Sequence, residues 1–130
     1  MKVKIKLIEN AKSPEYKSDG ASCMDCYANK DMVIKPNSID LVPLGFALSL
    51  DKDYEAQIRP RSGLSRKGIN CLLGTIDSDY RGEVSAIIHN NTNDNFIINQ
   101  GDRICQMFIG NIFDDIFQFL YDFCKSKYTK

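Results

Sequence analysis

The feature that most constrains this chain is its punctuation. Between residues 3 and 112, short apolar stretches are broken by clusters of turn formers: KPNS, PLG, NNTND and NQGD. Gly supplies left-handed backbone, Pro fixes φ, and Asn and Asp bond back to their own main chain, so such clusters stop any regular element that reaches them. The stretches between them recur roughly every 8–12 residues, too close for helices of ordinary length and well suited to strands. The reading predicts strands over Val3–Ile8, Ser22–Ala28, Met32–Ile34, Ile39–Pro43, Phe46–Leu50 and Glu55–Arg59. It continues with Asn70–Leu73, Val84–Asn90, Asn95–Asn99 and Arg103–Ile112. The amino terminus shows the pattern most plainly, with Lys2, Lys4 and Lys6 alternating with Val3, Ile5 and Leu7 as on a half-buried strand. No repeat or linker divides the 130 residues, so the expectation is one all-β domain spanning 1–130, a sandwich or barrel.

The tail admits two readings. In DDIFQFLYDFCKSK, Ile116, Leu120 and Phe123 fit a helix face, whereas Phe117, Phe119, Tyr121 and Phe123 alternate as on a strand. Aromatic enrichment favours extended structure. So many aromatics near a terminus also need a surface to cover, and a neighbouring subunit is the natural candidate.

Charge and cysteine content narrow the function classes. Seventeen Lys plus Arg balance seventeen Asp plus Glu, so no overall field draws the chain to nucleic acid or an acidic membrane. No apolar run approaches the ~18 residues of a membrane span, and the alternating start is unlike a signal peptide. The expected location is cytoplasmic, with nuclear or organellar placement also compatible. Five cysteines, an odd count, read as free thiols in a reducing compartment. Cys23 and Cys26 form a lone C-x-x-C, but the other cysteines are scattered and His89 is the only histidine, so a structural zinc site is not indicated.

Three stretches could carry chemistry. RPRSGLSRK, residues 59–67, sets Arg59, Arg61, Arg66 and Lys67 around Ser62, Gly63 and Ser65. Guanidinium forks match phosphate oxygens and Gly lets backbone N–H groups approach an anion; taken alone, the stretch is as readily a solvated basic loop. GTIDSDYRGEV, residues 74–84, places Asp77 and Asp79 beside Tyr80 and Gly82. A calcium loop starting at Asp77 fails, because Arg81 and Ile88 stand where oxygen ligands are required. What remains is a plain turn, or a site where one Asp orients water and the Tyr80 ring walls a pocket. GDRICQMF, residues 101–108, is a turn and strand with Gln106 as its polar exception, either exposed or touching a ligand.

In combination these stretches say more. P-R-S-G-L-S, G-T-I-D-S-D-Y-R-G-E and G-D-R-I-x-Q-M, in this order, resemble the motifs of the trimeric dUTPase family. A fourth motif is present in altered form as GASCMDCYA, residues 20–28, with Asp25 at the motif's aspartate and Cys26 in place of its usual Leu. The resemblance runs from about Gly20 to Ile109. It implies a jelly-roll-like β-barrel of the β-clip type, forming a homotrimer with active sites where subunits meet. It further implies hydrolysis of dUTP to dUMP and pyrophosphate with Mg²⁺, which limits uracil in DNA and supplies dUMP for dTMP synthesis. Arg61, Ser62 and Gly63 would hold the α- and β-phosphates, with Gln106 adding a contact. Asp77 would orient the attacking water and Tyr80 would lie against the deoxyribose. Backbone groups of the hairpin from about Cys71 to Gly74 would read the uracil edge, with Thr75 and Ile76 also binding substrate. Asp25 would act on the metal through water, or brace Arg61.

Two departures stand out. The family's glycine-rich carboxyl-terminal arm has no counterpart before the chain stops at KSKYTK, and the hairpin reads KGINCLLG, with Cys71 and Leu72 where many members have Asn or Gly. A nucleotide-binding regulator with the same fold and little turnover is the alternative. A related dCTP deaminase fits the G-T-I-D-S-D-Y run less well.

Overall fold

The computed structural model describes residues 2–128, with the backbone alone for 114–119 and Tyr128. Eleven strands and two helical segments follow one another as β1 (Lys4–Leu7), β2 (Met24–Tyr27), β3 (Met32–Ile34), β4 (Ser38–Pro43), β5 (Phe46–Ser49) and β6 (Tyr54–Arg59), then α1 (Ser62–Ser65). The order continues with β7 (Ile69–Cys71), β8 (Gly74–Ile76), β9 (Ser85–Asn90), β10 (Phe96–Ile98), β11 (Arg103–Asn111) and α2 (Ile112–Tyr128). Every pairing is antiparallel, in a four-stranded sheet ordered β2-β11-β6-β8, a three-stranded sheet β4-β9-β7, and the pairs β1-β5 and β3-β10. These layers curl into a jelly-roll-like barrel around a shared core.

Alternation in the sequence becomes alternation in space. Ala86, Ile88 and Asn90 of β9 point inward while Ser85, Ile87 and His89 do not. Phe46, Leu48, Ile58, Ile88, Ile104 and Met107 are almost wholly buried, and each such aliphatic or aromatic side chain contributes ~1.5–3 kcal/mol by leaving water. Asn90 is the polar exception. Its Nδ2 donates to the carbonyls of Ile34 (3.0 Å) and Asp94 (2.8 Å), and its Oδ1 accepts from the Thr92 N–H (3.1 Å) and hydroxyl (2.7 Å). Satisfied in this way, a buried amide ties the β9–β10 turn to the end of β3 without an unpaired group.

Ten predicted strands appear close to their expected bounds. The tail does not follow expectation: it forms α2, a helix, where extended structure was predicted. The cause lies at its start. Asn111 Oδ1 accepts the Phe113 N–H at 2.8 Å, a side-chain cap on the helix N-terminus, and Lys125 and Lys127 lie in the last turn, where the helix dipole favours cations. The aromatic alternation that suggested a strand is incidental to a stretch also spaced at three and four residues. Two short elements went unforeseen as well, β8 and the helical turn α1. Among the described residues no helix is long and apolar enough to cross a membrane.

Candidate active site

Asp25, Arg61, Arg103 and Gln106 form the first of two clusters. Strand β11 lies between β2 and β6, and its register sets Gln106 opposite both Asp25 and Arg59. A bulge between Arg103 and Cys105 turns Ile104 and Cys105 both inward, leaving Arg103 on the outer face, as bulges do when they re-aim a side chain. Asp25 is held on both flanks, since its backbone also exchanges two hydrogen bonds with Glu15 (2.8 and 3.2 Å). Its carboxylate, only 9% exposed as a residue, accepts from Arg103 Nη1 at 2.9 Å. Arg61 Nη1 donates to the Arg103 carbonyl at 3.0 Å, and Gln106 Nε2 donates to the Pro60 carbonyl at 2.9 Å. Arg61 therefore reaches Asp25 through Arg103, not directly. Partial burial and the nearby Arg103 charge pull the Arg61 pKa down, opposed by Asp25; a guanidinium starts so high that it remains a cation.

The chain then enters α1, whose first turn closes when the Ser65 N–H donates to the Arg61 carbonyl at 3.0 Å. The N–H groups of Ser62, Gly63 and Leu64 precede that ladder. Ser62 and Gly63 are exposed, and a Cβ on Gly63 would meet nothing within 4 Å. Arginines beside open amides suit an anion of two or more phosphates.

The second cluster is the turn after β8. Asp77 is exposed, and among the described residues its carboxylate has no hydrogen-bond partner. The Tyr80 N–H donates to the Asp77 carbonyl (3.1 Å) and the Tyr80 hydroxyl to the Glu83 carbonyl (3.0 Å). Arg81 Nη1 donates to the carbonyls of Ser78 and Tyr80. A cavity of about 360 Å³ opens beside this turn, with Gly74, Thr75, Ile76, Asp77, Tyr80 and Glu83 among its lining. Ile76 and Cys71 turn their side chains into the core. Because β7 and β8 are edge strands of their sheets, what they offer a ligand is main-chain N–H and C=O. The neighbouring Cys105 thiol lowers the Cys71 pKa against the effect of burial, while the Cys26 and Cys71 thiols and burial push Cys105 well up.

These two clusters do not meet within one chain. Ile58 of β6 faces Gly74 and Ala56 faces Ile76, so Asp77 comes level with Glu55 near the start of that strand, whereas Arg61 follows its Arg59 end. About six extended residues at ~3.3 Å each separate the two levels, or roughly 20 Å. Among the residues assigned a role from sequence, Asp25, Arg61, Ser62, Gly63 and Gln106 gather at one end. Gly74, Thr75, Ile76, Asp77 and Tyr80 gather at the cavity beside the β8 turn, while Cys71 lies on β7 of the other sheet, its thiol near Cys105. Arg103 was missed, although G-D-R-I carried it; its signal was a lone arginine at a turn-to-strand junction, which by itself says nothing about a partner 78 residues away.

Asp25 is the one carboxylate of the first cluster, and among the described residues no three His, Cys, Asp or Glu side chains converge to hold a metal ion. With Oδ2 committed to Arg103, Oδ1 of Asp25 remains for a water. That donor set fits Mg²⁺ carried by phosphate oxygens and its own waters, and not an all-protein cage.

The dUTPase family profile matches residues 9–126. The chain is 48% identical over 115 residues to the deoxyuridine 5′-triphosphate nucleotidohydrolase of Finegoldia magna, covering 84% of this chain and 80% of that one. It is 46% identical over 118 residues to that of Caldanaerobacter subterraneus subsp. tengcongensis, covering 85% and 80%. In three dimensions it resembles the dUTPase of phage phi11 of S. aureus with a TM-score of 0.82 at 22% identity, over 86% of this chain and 91% of that one. A related phi11 structure describes a structural Mg(II) ion in that protein. With a profile matched over nearly its whole length and relatives close to half identical, the chain belongs to the dUTPase family.

Proposed function

We infer that the protein is a dUTP diphosphatase, releasing dUMP and pyrophosphate, and that it works as a homotrimer with each site shared between copies. The observation that carries this reading is the division of the site. A carboxylate that orients a water must stand within one water's reach of the phosphorus it serves, and Asp77 lies roughly 20 Å from the phosphate-binding end of its own chain by strand rise. Each half is chemically incomplete and the other half is what it lacks. Two copies set side by side join Asp77 and Tyr80 of one to Arg61, Ser62, Gly63 and Gln106 of the next. Exposed Ile39, Leu41 and Ile87 on the outer face of β4 and β9, with Leu41 and Ile87 also at the cavity, give such a contact its apolar component. Phe113, Leu120, Tyr121 and Phe123 on α2 are likewise exposed and suit a helix laid against a neighbouring copy.

Arg61 and the open amides of α1 grip the α- and β-phosphates; Gln106 adds a donor. Asp25 holds a water toward the metal side, and bound Mg²⁺ would supply further neutralisation of the phosphate charge. Asp77 binds the sugar 3′-hydroxyl and aligns the water that attacks the α-phosphorus, a step that depends on positioning and charge more than on covalent chemistry. Main-chain groups of Cys71, Gly74, Thr75 and Ile76 pair with the uracil edge. Cytosine, a donor where uracil accepts, would leave a group unpaired at ~1–3 kcal/mol. Tyr80 lies against the deoxyribose. A reducing compartment such as the cytoplasm keeps the five thiols free.

The test is pyrophosphate release from dUTP, with dTTP, dCTP and UTP as controls, in Mg²⁺ and again after chelation. The expected result is release from dUTP alone, lost with the metal. Binding of dUTP without release in either condition would support the regulatory alternative.

A further inference from the structure

Resting on the placement of Tyr80 against the sugar, we propose that Gly82 is a positioning residue for sugar selectivity: the absence of a side chain at 82 lets the Tyr80 ring stand where a ribose 2′-hydroxyl would strike it. A Cβ built on Gly82 would lie 2.6 Å from Tyr80 Oη, 2.8 Å from Cζ and 3.2 Å from Cε2. Those distances are well inside van der Waals contact. The requirement does not come from the backbone. Gly45, Gly68 and Gly101 have positive φ, and Gly82 does not, so its conformation is open to any L-residue. The three nearest atoms all belong to one side chain, and that side chain is the one assigned to the sugar.

The phenol has little freedom to accommodate an intruder while keeping its place. Its hydroxyl donates to the Glu83 carbonyl at 3.0 Å, its own N–H is bonded to Asp77, and its carbonyl accepts from Arg81 at 3.3 Å. The ring thus crosses directly over residue 82 between two fixed points. A methyl group there must lift the ring and break the Glu83 bond. Because Tyr80 is 46% exposed, the lifted ring has solvent to move into, so the effect falls on the wall of the nucleotide cavity and not on the core. Asp77, anchored by backbone on the other side of the turn, stays in place.

The experiment is a double-mutant cycle on the full chain, reading kcat/KM for dUTP and for UTP, with thermal midpoints alongside. Gly82→Ala is expected to raise the UTP:dUTP ratio of kcat/KM by ~10-fold or more, within what a steric contact with one group can discriminate, with the midpoint unmoved and kcat for dUTP nearly kept. In a Tyr80→Leu background, where the wall is already gone, Gly82→Ala is expected to add nothing, the mark of a residue acting only through another. An unchanged ratio in Gly82→Ala beside a relaxed one in Tyr80→Leu would overturn the role of Gly82 while leaving Tyr80 its own. The same rise in both backgrounds would overturn it too, since Gly82 would then act independently of the ring. If Tyr80→Leu leaves UTP excluded, the placement of Tyr80 fails first and this inference with it.

Discussion

Asp25, Arg61 and Arg103 stand on or beside a four-stranded sheet and hold one another, with Gln106 bonded to Pro60 beside them, whereas Asp77 and Tyr80 stand on a turn that bonds chiefly to itself. In the first group a carboxylate is buried against a guanidinium, that arginine's carbonyl anchors a second guanidinium, and Asp25 and Arg103 stand on the paired strands β2 and β11. In the second, one main-chain bond and the Tyr80 and Arg81 side chains donating to nearby carbonyls shape the loop, and the Asp77 carboxylate is left to solvent. If the two clusters act as proposed, the difference follows from their two tasks. Neutralising a triphosphate rewards charges already oriented before the ligand arrives. A carboxylate that must take up a water and a hydroxyl is useful only while it is not committed to the protein. The sheet therefore supplies fixed charge, and the turn supplies an open acceptor.

The largest effects are expected when either half is removed alone. Asp77→Asn is expected to lower kcat by ~10²–10⁴, the range for a positioned base or water-orienting group, with dUTP affinity by calorimetry little changed. Arg61→Ala is expected to weaken dUTP binding as well as turnover, because the bond it removes is present before the reaction begins. Since the two residues lie at opposite ends of β6, the two inactive variants should complement each other. Co-expressed and co-purified, they are expected to recover activity well above either parent, through interfaces that join an intact Asp77 to an intact Arg61. No recovery from a mixed assembly would mean that each chain completes its own site.

A smaller effect tests the ties within the sheet half. Arg103→Met keeps the length of the side chain and removes the partner of a nearly buried carboxylate. Breaking a fully buried pair costs ~3–5 kcal/mol, but the Arg103 side chain is 44% exposed, so solvent screening brings the expected loss of stability to about 1–2 kcal/mol. The measurement is a urea midpoint shift at constant slope. It should come with a raised KM for dUTP, because the Arg103 carbonyl that anchors Arg61 sits on the strand segment the ion pair steadies. The equivalent change on the turn, Arg81→Met, removes an exposed clamp and should leave the midpoint where it was.

How much of this was legible in the sequence depends on the range of the interactions involved. Turn clusters and period-two alternation act over a few residues, so the strands and their core faces could be read directly. Elements β8 and α1 were hidden because Gly74–Ile76 and Ser62–Ser65 are three or four residues long and lie inside stretches dominated by turn chemistry. In the tail a single residue, the Asn111 cap, outweighs a period-two run of aromatics. The site residues were legible as motifs, but their division was not. Nothing in the spacing of Arg61 and Asp77 reports that β8 runs back along β6, which separates them; only register does. The Asp25–Arg103 pair escaped for the same reason, since it depends on a bulge in β11 that no local signal announces.

The smallest effect belongs to Ser62, and it separates two ways of holding a phosphate. If the α1 turn grips mainly through its amides, as the three N–H groups ahead of the Ser65–Arg61 bond suggest, the Ser62 hydroxyl is one donor among several. Ser62→Ala keeps the backbone and, with the side chain exposed, should leave the unfolding midpoint unchanged. Losing one such hydrogen bond at a solvent-facing position costs about 1 kcal/mol, so the KM for dUTP is expected to rise about fivefold with kcat nearly constant. A loss of kcat as large as that of Asp77→Asn would instead place the hydroxyl among the groups that act only in the transition state. That outcome would move part of the catalytic burden from the turn to the sheet end of the site, and the contrast between fixed charge and open acceptor would no longer hold.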